Sequence, residues 1–277
     1  MSSELARLAA AAARVGATDL LRRFGDRSLV AESKAENDLV SAADRESEAA
    51  IVAFLQKEVP DHQILSEEAG ILGPGSSRYQ WIVDPLDGTN NYLQGLPIWG
   101  ISVACKHGDD VIAGAILDPL GENLFVASRG DGAEWNGKPI RVSQQAGLKG
   151  AFLATGYPFR ARGALDVYLQ LFGAVFLQAR SIRRCGAASL DLAYTAAGVY
   201  DGFFEFRLSA WDLAAGVVLI REAGGMVGDL AGGTDYLESG NLIAGGPAVH
   251  KELLETVQRY ASEALLEELA PLEVEGP

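Results

Sequence analysis

The stretch WIVDPLDGTNNY, Trp81 to Tyr92, constrains this chain more than any other. An apolar run with strand character ends in the carboxylate of Asp84, and Pro85 then fixes its own φ and denies Asp84 a helical backbone. The chain must turn, and the turn can bring Asp84 and Asp87 to one side. Two carboxylates crowded at the end of a buried strand repel each other, so one stays protonated unless a cation holds them. Hard divalent ions take oxygen ligands of this kind. Gly88 permits close backbone approach, and Thr89 reads as the N-cap of a short helix whose free amides would face an anion. Taken alone, these residue types also make an ordinary turn.

Other carboxylates sit at element ends. Glu67 and Glu68 follow a strand-like segment in "HQILSEEAG", Asp212 opens a helix in "SAWDLAAG", and Asp44 opens another after "DLVSA". Each by itself is a solvated loop residue or a helix cap. Four such carboxylate sites, all at the ends of elements, look less like coincidence and point instead to a shared cation.

The frame around them mixes helices and strands. Leu5, Leu8, Ala12 and Val15 recur at helical spacing, and a second helix carries Ile51, Val52, Phe54 and Leu55 before Pro60. Residues 31–44 read as a loop or short extended piece leading into that helix. "YQWIVDP", "WGISVACKHG", "VIAGAILDP" and "NLFVASRG" read as strands of an antiparallel or mixed sheet. Segments 165–179, 187–200 and 212–224 read as helices, segments 150–155, 201–206 and 241–244 as short strands, and "KELLETVQRYASEALLEELA" as a C-terminal amphipathic helix. This interleaving predicts a mixed α/β (α+β) layered fold in one unit spanning 1–277, with lobes of about 1–145 and 146–265 and a frayed tail at 271–277.

Composition narrows the function. Lys and Arg total 23 against 37 Asp and Glu, a net charge of −14 that disfavours direct binding of nucleic acid or an anionic membrane. Cys105 and Cys185 stand apart, without a CxxC pair, so neither a disulfide framework nor a structural zinc site is expected. Cys105 reads as a core residue, and the absence of long apolar runs fits a cytoplasmic protein. His62, His107 and His250 are the only histidines and read as surface residues, too few for a histidine-rich zinc hydrolase. The aspartates of DPLD are three apart, which excludes the D-x-D-x-T pattern of aspartyl-nucleophile phosphatases.

DPLDGTNN, WDLAAG, SEEAG and the K-x-x-x-DLVSAAD stretch from Lys34 together resemble the inositol monophosphatase family, and "RRCGAASLDLAYTAAGVYDGFFE" (183–205) is similar to its bacterial members. The resemblance runs in order from about residue 5 to 265. It implies an αβαβα sandwich and an Mg2+-dependent, lithium-sensitive phosphomonoesterase that acts by in-line attack of a metal-activated water. Two to three ions are implied, with Mn2+ as a substitute. Glu67, Asp84 and the Leu86 carbonyl resemble the ligands of one ion. Asp84, Asp87 and Asp212 resemble those of a second, and Glu67 with water those of a third. Asp44 and Thr89 resemble the pair that orients and deprotonates the water, and the amides of Gly88 and Thr89 the phosphate cradle. Gly186, Ala187, Ala188 and Glu205 resemble the pocket for the substrate ring, while Arg207 is either a substrate contact or a structural arginine. The implied substrate is inositol-1-phosphate or a related small sugar phosphate, and a homodimer is implied. Fructose-1,6-bisphosphatase, histidinol-phosphate phosphatase and 3′(2′),5′-bisphosphate nucleotidase activities stay open within the resemblance. So does a binding role in the transcription machinery, known for some bacterial proteins of this kind.

Overall fold

Period-two alternation with both faces apolar marks strands buried between layers, and this pattern organises the molecule. The computed structural model describes residues 2–26, 32–35, 38–159 and 162–260. The chain begins with α1 (Ser2–Arg23), β1 (Glu32–Ala35), β2 (Asp38–Val40) and α2 (Ala42–Glu58). Then come β3 (Gln63–Ser66), β4 (Gly70–Leu72), β5 (Tyr79–Asp87), the short α3 (Thr89–Gln94), β6 (Gly100–His107) and β7 (Asp110–Asp118). They are followed by β8 (Asn123–Ser128), β9 (Gly132–Trp135) and β10 (Lys138–Pro139). The remainder comprises β11 (Phe152–Thr155), α4 (Leu165–Phe176), β12 (Ser181–Arg183), α5 (Ala188–Ala196), β13 (Gly202–Glu205) and α6 (Ala210–Glu222). It closes with β14 (Met226–Gly228), α7 (Tyr236–Ser239), β15 (Leu242–Gly245) and α8 (Pro247–Tyr260).

Strands β10-β9-β8-β7-β6-β5-β3-β4 form one sheet and β12-β11-β13-β15-β14 a second. Both are mixed, because β3 pairs parallel to β5 and β11 pairs parallel to β12 and β13. Three cores separate the layers. Trp81, Val83, Ile101, Val103 and Cys105 face α1 and α2, where Leu5, Leu20, Ile51 and Leu55 meet them. The opposite face of that sheet, with Ile82 and Ala104, packs on α5 and α6, which also cover Ala154, Phe203 and Ala244 of the second sheet. Leu153, Phe204 and Ile243 point to the far side, against Leu171 of α4 and Leu253 of α8. Helix pair, sheet, helix pair, sheet, helix pair: the fold is an αβαβα sandwich. The smaller residues Ala214, Ala215 and Gly216 let α6 serve as the central layer, filling both of its faces with little bulk.

Several local expectations are refined. The stretch 31–44 contains an antiparallel strand pair, Glu32 opposite Val40, before α2 begins. The C-terminal helix starts at Pro247, and its expected course beyond Tyr260, like the tail 271–277, lies outside the described residues. The three histidines are less exposed than surface residues would be. His250 is buried at 7% exposure, in the second-sheet layer, because α8 turns that side of the helix inward. His62 and His107 are half-buried and flank the Tyr79 ring at 4.6 Å each, and the indole Nε1 of Trp81 donates to His62 Nδ1 at 3.1 Å. An aromatic neighbour on the adjacent strand draws in what a turn position would expose. Cys105 is a core residue, fully buried, with its thiol pushed up to about 12 by burial.

Candidate active site

In a regular strand, residues three apart point to opposite faces. Asp84 and Asp87 of β5 nevertheless point the same way, because the register slips between them: Asp84 faces Ser102 and Asp87 faces Gly100 of β6. One extra residue on β5, at the Pro85-Leu86 step, makes a β-bulge and turns both carboxylates to one side. Asp212, in the first turn of α6, completes a group in which one carboxylate oxygen from each residue lies within 4.8 Å of the others.

Each member is fixed by its own local chemistry. Asp84 accepts from the Leu86 amide at 3.0 Å. Asp87 Oδ2 accepts from the amide (2.7 Å) and hydroxyl (2.5 Å) of Ser189, which ties it to the start of α5. Asp212 accepts from the Ser209 amide at 2.7 Å in a capping box, so it closes the start of α6 while its carboxylate stays beside Asp84 and Asp87. Burial, then the charges of Glu67, Asp87 and Asp212, hold the Asp84 carboxyl well above the usual range. Burial and the charge of Asp212 push Asp87 up to about 7. Three carboxylates this close, two of them buried, keep their charge only with a cation among them, and an all-oxygen donor set suits a hard divalent ion. The residues fit a metal.

Glu67 lies on the wall of the same cleft, where its charge acts on Asp84. The Leu86 carbonyl stands 3.0 Å from Thr89 Oγ1 and competes with Asp44 for its one proton. Thr89 is corrected in its helical role: Gly88 is the N-cap of α3, with φ +90°, and Thr89 is the first helical residue. That left-handed backbone favours glycine, and a side chain there would meet the Ile98 and Gly186 carbonyls at 3.1 and 3.3 Å. Thr89 Oγ1 also stands 3.0 Å from Asp44 Oδ1. Asp44 is 1% exposed and sits behind Thr89 rather than on the cleft wall. Its Oδ2 accepts from the Ser41 amide (2.9 Å) and hydroxyl (2.6 Å), which leaves Oδ1 for Thr89. Burial raises the Asp44 carboxyl, and the Ser41 and Thr89 hydrogen bonds oppose the rise.

The cleft joins these groups to the rest of the expected set. Gly88, Gly186, Ala187, Ala188, Glu205 and Arg207 all line it. Asn91 ties its two sides, with Nδ2 donating to the carbonyls of Ile98 (2.7 Å) and Cys185 (2.9 Å). Glu205 is held well above the usual carboxylate range by burial first and the charge of Asp191 next. Arg207 takes φ +62°, a conformation uncommon for a residue with a side chain.

Sequence reasoning missed one wall. Thr155 at the end of β11 and Gly156, Tyr157 and Phe159 just past it line the cleft with Arg184. The Arg184 guanidinium lies 5.3 Å from the Tyr157 ring centre and 5.5 Å from that of Phe159. A Cβ at Gly156 would fall 1.7 Å from the Glu205 carboxylate, so this glycine is what lets Glu205 lie across the wall. The available signal was a glycine directly after a short apolar strand, a place of close approach.

The chain is similar to known proteins in sequence and in fold. The sequence model of the inositol monophosphatase family matches residues 1–262. The chain is 46% identical over 237 residues to the Nus factor SuhB of Pseudomonas aeruginosa, covering 84% of this chain and 87% of that one. The structure of the extragenic suppressor protein suhB from Bartonella henselae superposes with a TM-score of 0.89 at 38% identity, covering 92% of this chain and 99% of that one. An inositol monophosphatase from Anabaena superposes with a TM-score of 0.84 at 31% identity, covering 95% and 98% respectively.

Proposed function

The chain belongs to the inositol monophosphatase family, and from that premise we propose that it is an Mg2+-dependent phosphomonoesterase acting on inositol-1-phosphate or a related small sugar phosphate. The observation that carries the reading is the bulge in β5, which turns Asp84 and Asp87 toward Asp212 within one 4.8 Å group. Asp84, Asp87 and Asp212 would hold the metal, with Glu67 and the Leu86 carbonyl extending the ligand set, and the metal would supply charge neutralisation for the phosphate and activation of the attacking water.

This chain's residues do the rest. Thr89 Oγ1 donates to Asp44 Oδ1 and can in turn accept a proton from the attacking water, so the proton passes by way of the hydroxyl to the carboxylate. The Gly88 and Thr89 amides orient the phosphate for in-line attack. The new bond forms between the water oxygen and phosphorus, the ester P–O bond breaks, and the leaving alkoxide takes a proton from solvent. Glu205 and the 186–188 segment face the hydroxyls of the leaving alcohol. Gly156 leaves room for Glu205 to do so.

The test is inorganic phosphate release with and without Mg2+ on inositol-1-phosphate, fructose-1,6-bisphosphate, histidinol phosphate and 3′-phosphoadenosine-5′-phosphate. Metal-dependent turnover with the highest kcat/KM on inositol-1-phosphate is the expected result, with inhibition by Li+. Silence on all four, from folded protein that binds Mg2+, overturns it and favours a second reading, a binding role in the transcription machinery. That reading rests on the name Nus factor carried by the 46% identical relative. A homodimer in the cytoplasm fits either reading. Leu165, Leu169 and Phe176 of α4 and the adjoining Leu177 leave an apolar face exposed, which a second copy would cover.

A further inference from the structure

One buried carboxylate near the site takes no part in the reaction described. Glu48 is 6% exposed, does not line the cleft, and directs a single oxygen, Oε1, at three donors. These are the Ser66 hydroxyl at 2.5 Å, the Glu68 amide at 2.9 Å and the Ala69 amide at 3.1 Å. The residues on either side of Glu67 are therefore held by one acceptor. Glu67 itself donates its amide to the Val83 carbonyl at 3.3 Å, one residue before Asp84. Its backbone position relative to Asp84 is thus set from two directions.

Glu48 lies four residues after Asp44 on α2, so the two share a face of the helix. Between them, Ser47 Oγ donates to the Pro85 carbonyl, inside the β5 bulge, at 3.0 Å. One helical turn thus grips three segments: Thr89 through Asp44, the bulge through Ser47, and the 66–69 turn through Glu48. A carboxylate is costly to bury. A turn that only needed closing could use the donors and acceptors of its own backbone. Directing an ionisable side chain at the two residues flanking Glu67 makes sense if the place of that one side chain matters.

We propose that Glu48 is a positioning residue for the Glu67 side of the metal site. It fixes the 66–69 turn so that the Glu67 carboxylate would reach a metal held at Asp84. The inference rests on the metal-dependent reading above, and the experiment separates the two. Mg2+ alone is titrated calorimetrically into the full-length protein, its Glu48→Gln variant and its Glu48→Ala variant. Amide hydrogen exchange of residues 66–69 is followed in the same proteins without metal. Gln keeps one acceptor oxygen and the side-chain volume; Ala removes both.

Loss of such a supporting partner weakens metal affinity by about tenfold or more. Glu48→Ala is expected to show that loss, Glu48→Gln a smaller one, and both to exchange faster at Glu68 and Ala69. The Mg2+ concentration for half-maximal phosphate release should rise in parallel, while the rate at saturating Mg2+ recovers to within about threefold of the parent. A role limited to stability would lower the melting temperature and leave the Mg2+ affinity of the folded variants unchanged. That outcome, or unchanged exchange at 66–69, overturns the proposal. If the parent protein binds no Mg2+, the metal-site reading fails and the proposal falls with it, and the exchange data then report only whether Glu48 holds the turn.

Discussion

At the scale of single residues, the site is a place of stored repulsion. Asp84 is buried at 1% exposure among the charges of Glu67, Asp87 and Asp212. Asp84→Asn should therefore lower kcat/KM by at least about a thousandfold, since it disrupts every ion the carboxylate would touch. It should also raise the melting temperature of the metal-free protein, because the cost of burying an ionisable carboxyl beside other carboxylates is removed. Phosphate release and a thermal melt in chelator check both halves, and near-normal turnover would refute the shared-ligand role. Asp87 gives a pH dependence whose sign is set by its carboxyl standing at about 7. The folded apo protein holds that proton at pH values where the unfolded chain, with a carboxyl near 3.9, has lost it. Metal-free stability therefore falls as pH rises from about 4 to about 7 on account of this group. Mg2+ must displace the proton, so its affinity should climb between pH 6 and pH 8. Calorimetry in buffers of different ionisation enthalpy would register the proton released. An affinity flat over that range would mean that Asp87 is already ionised.

At the scale of elements, two helix starts double as parts of the site. Ser41 caps α2, its hydroxyl accepting from the Ala43 amide at 3.2 Å and donating to Asp44 Oδ2 at 2.6 Å. Ser41→Ala should cost about 1 kcal/mol through the lost cap, a drop of a few degrees in melting temperature. Activity should fall further than that loss explains, because Asp44 would no longer be held with Oδ1 toward Thr89. A proportionate loss of both would reduce Asp44 to a cap. Strand β5 shows the limits of legibility at this scale. Its apolar run and its proline were plain, and so was the need for a turn. That the chain continues as a strand through Asp87 by means of a bulge was not, because a bulge is defined by the partner strand. The cap of α3 was misplaced by one residue for a related reason. Gly88 takes its left-handed conformation under the Ile98 and Gly186 carbonyls, neither of them close in sequence.

At the scale of the molecule, the open question of surface is α4. Leu165, Leu169 and Phe176 stand 48%, 52% and 59% exposed on it, an apolar stripe along one face of the helix. Leu169→Glu combined with Phe176→Glu should convert a dimer to a monomer in light scattering, with the melting temperature of the monomer little changed. A parent protein that is already monomeric would refute the covering copy. What the sequence by itself determined was the chemistry: carboxylates at the ends of elements, a glycine-threonine turn beside them, helices and strands interleaved in a layered order. Those features are local, set by side-chain type and by the period of the apolar pattern. Only the tertiary structure decided how they meet. The cleft wall of Gly156, Tyr157, Phe159 and Arg184 exists because the second sheet is laid against α5 and α6. The grip of α2 on three separate segments, like the inward turn of His250, depends on packing between residues far apart in the chain. Such contacts are fixed by shape and burial in three dimensions, and a linear pattern does not carry them.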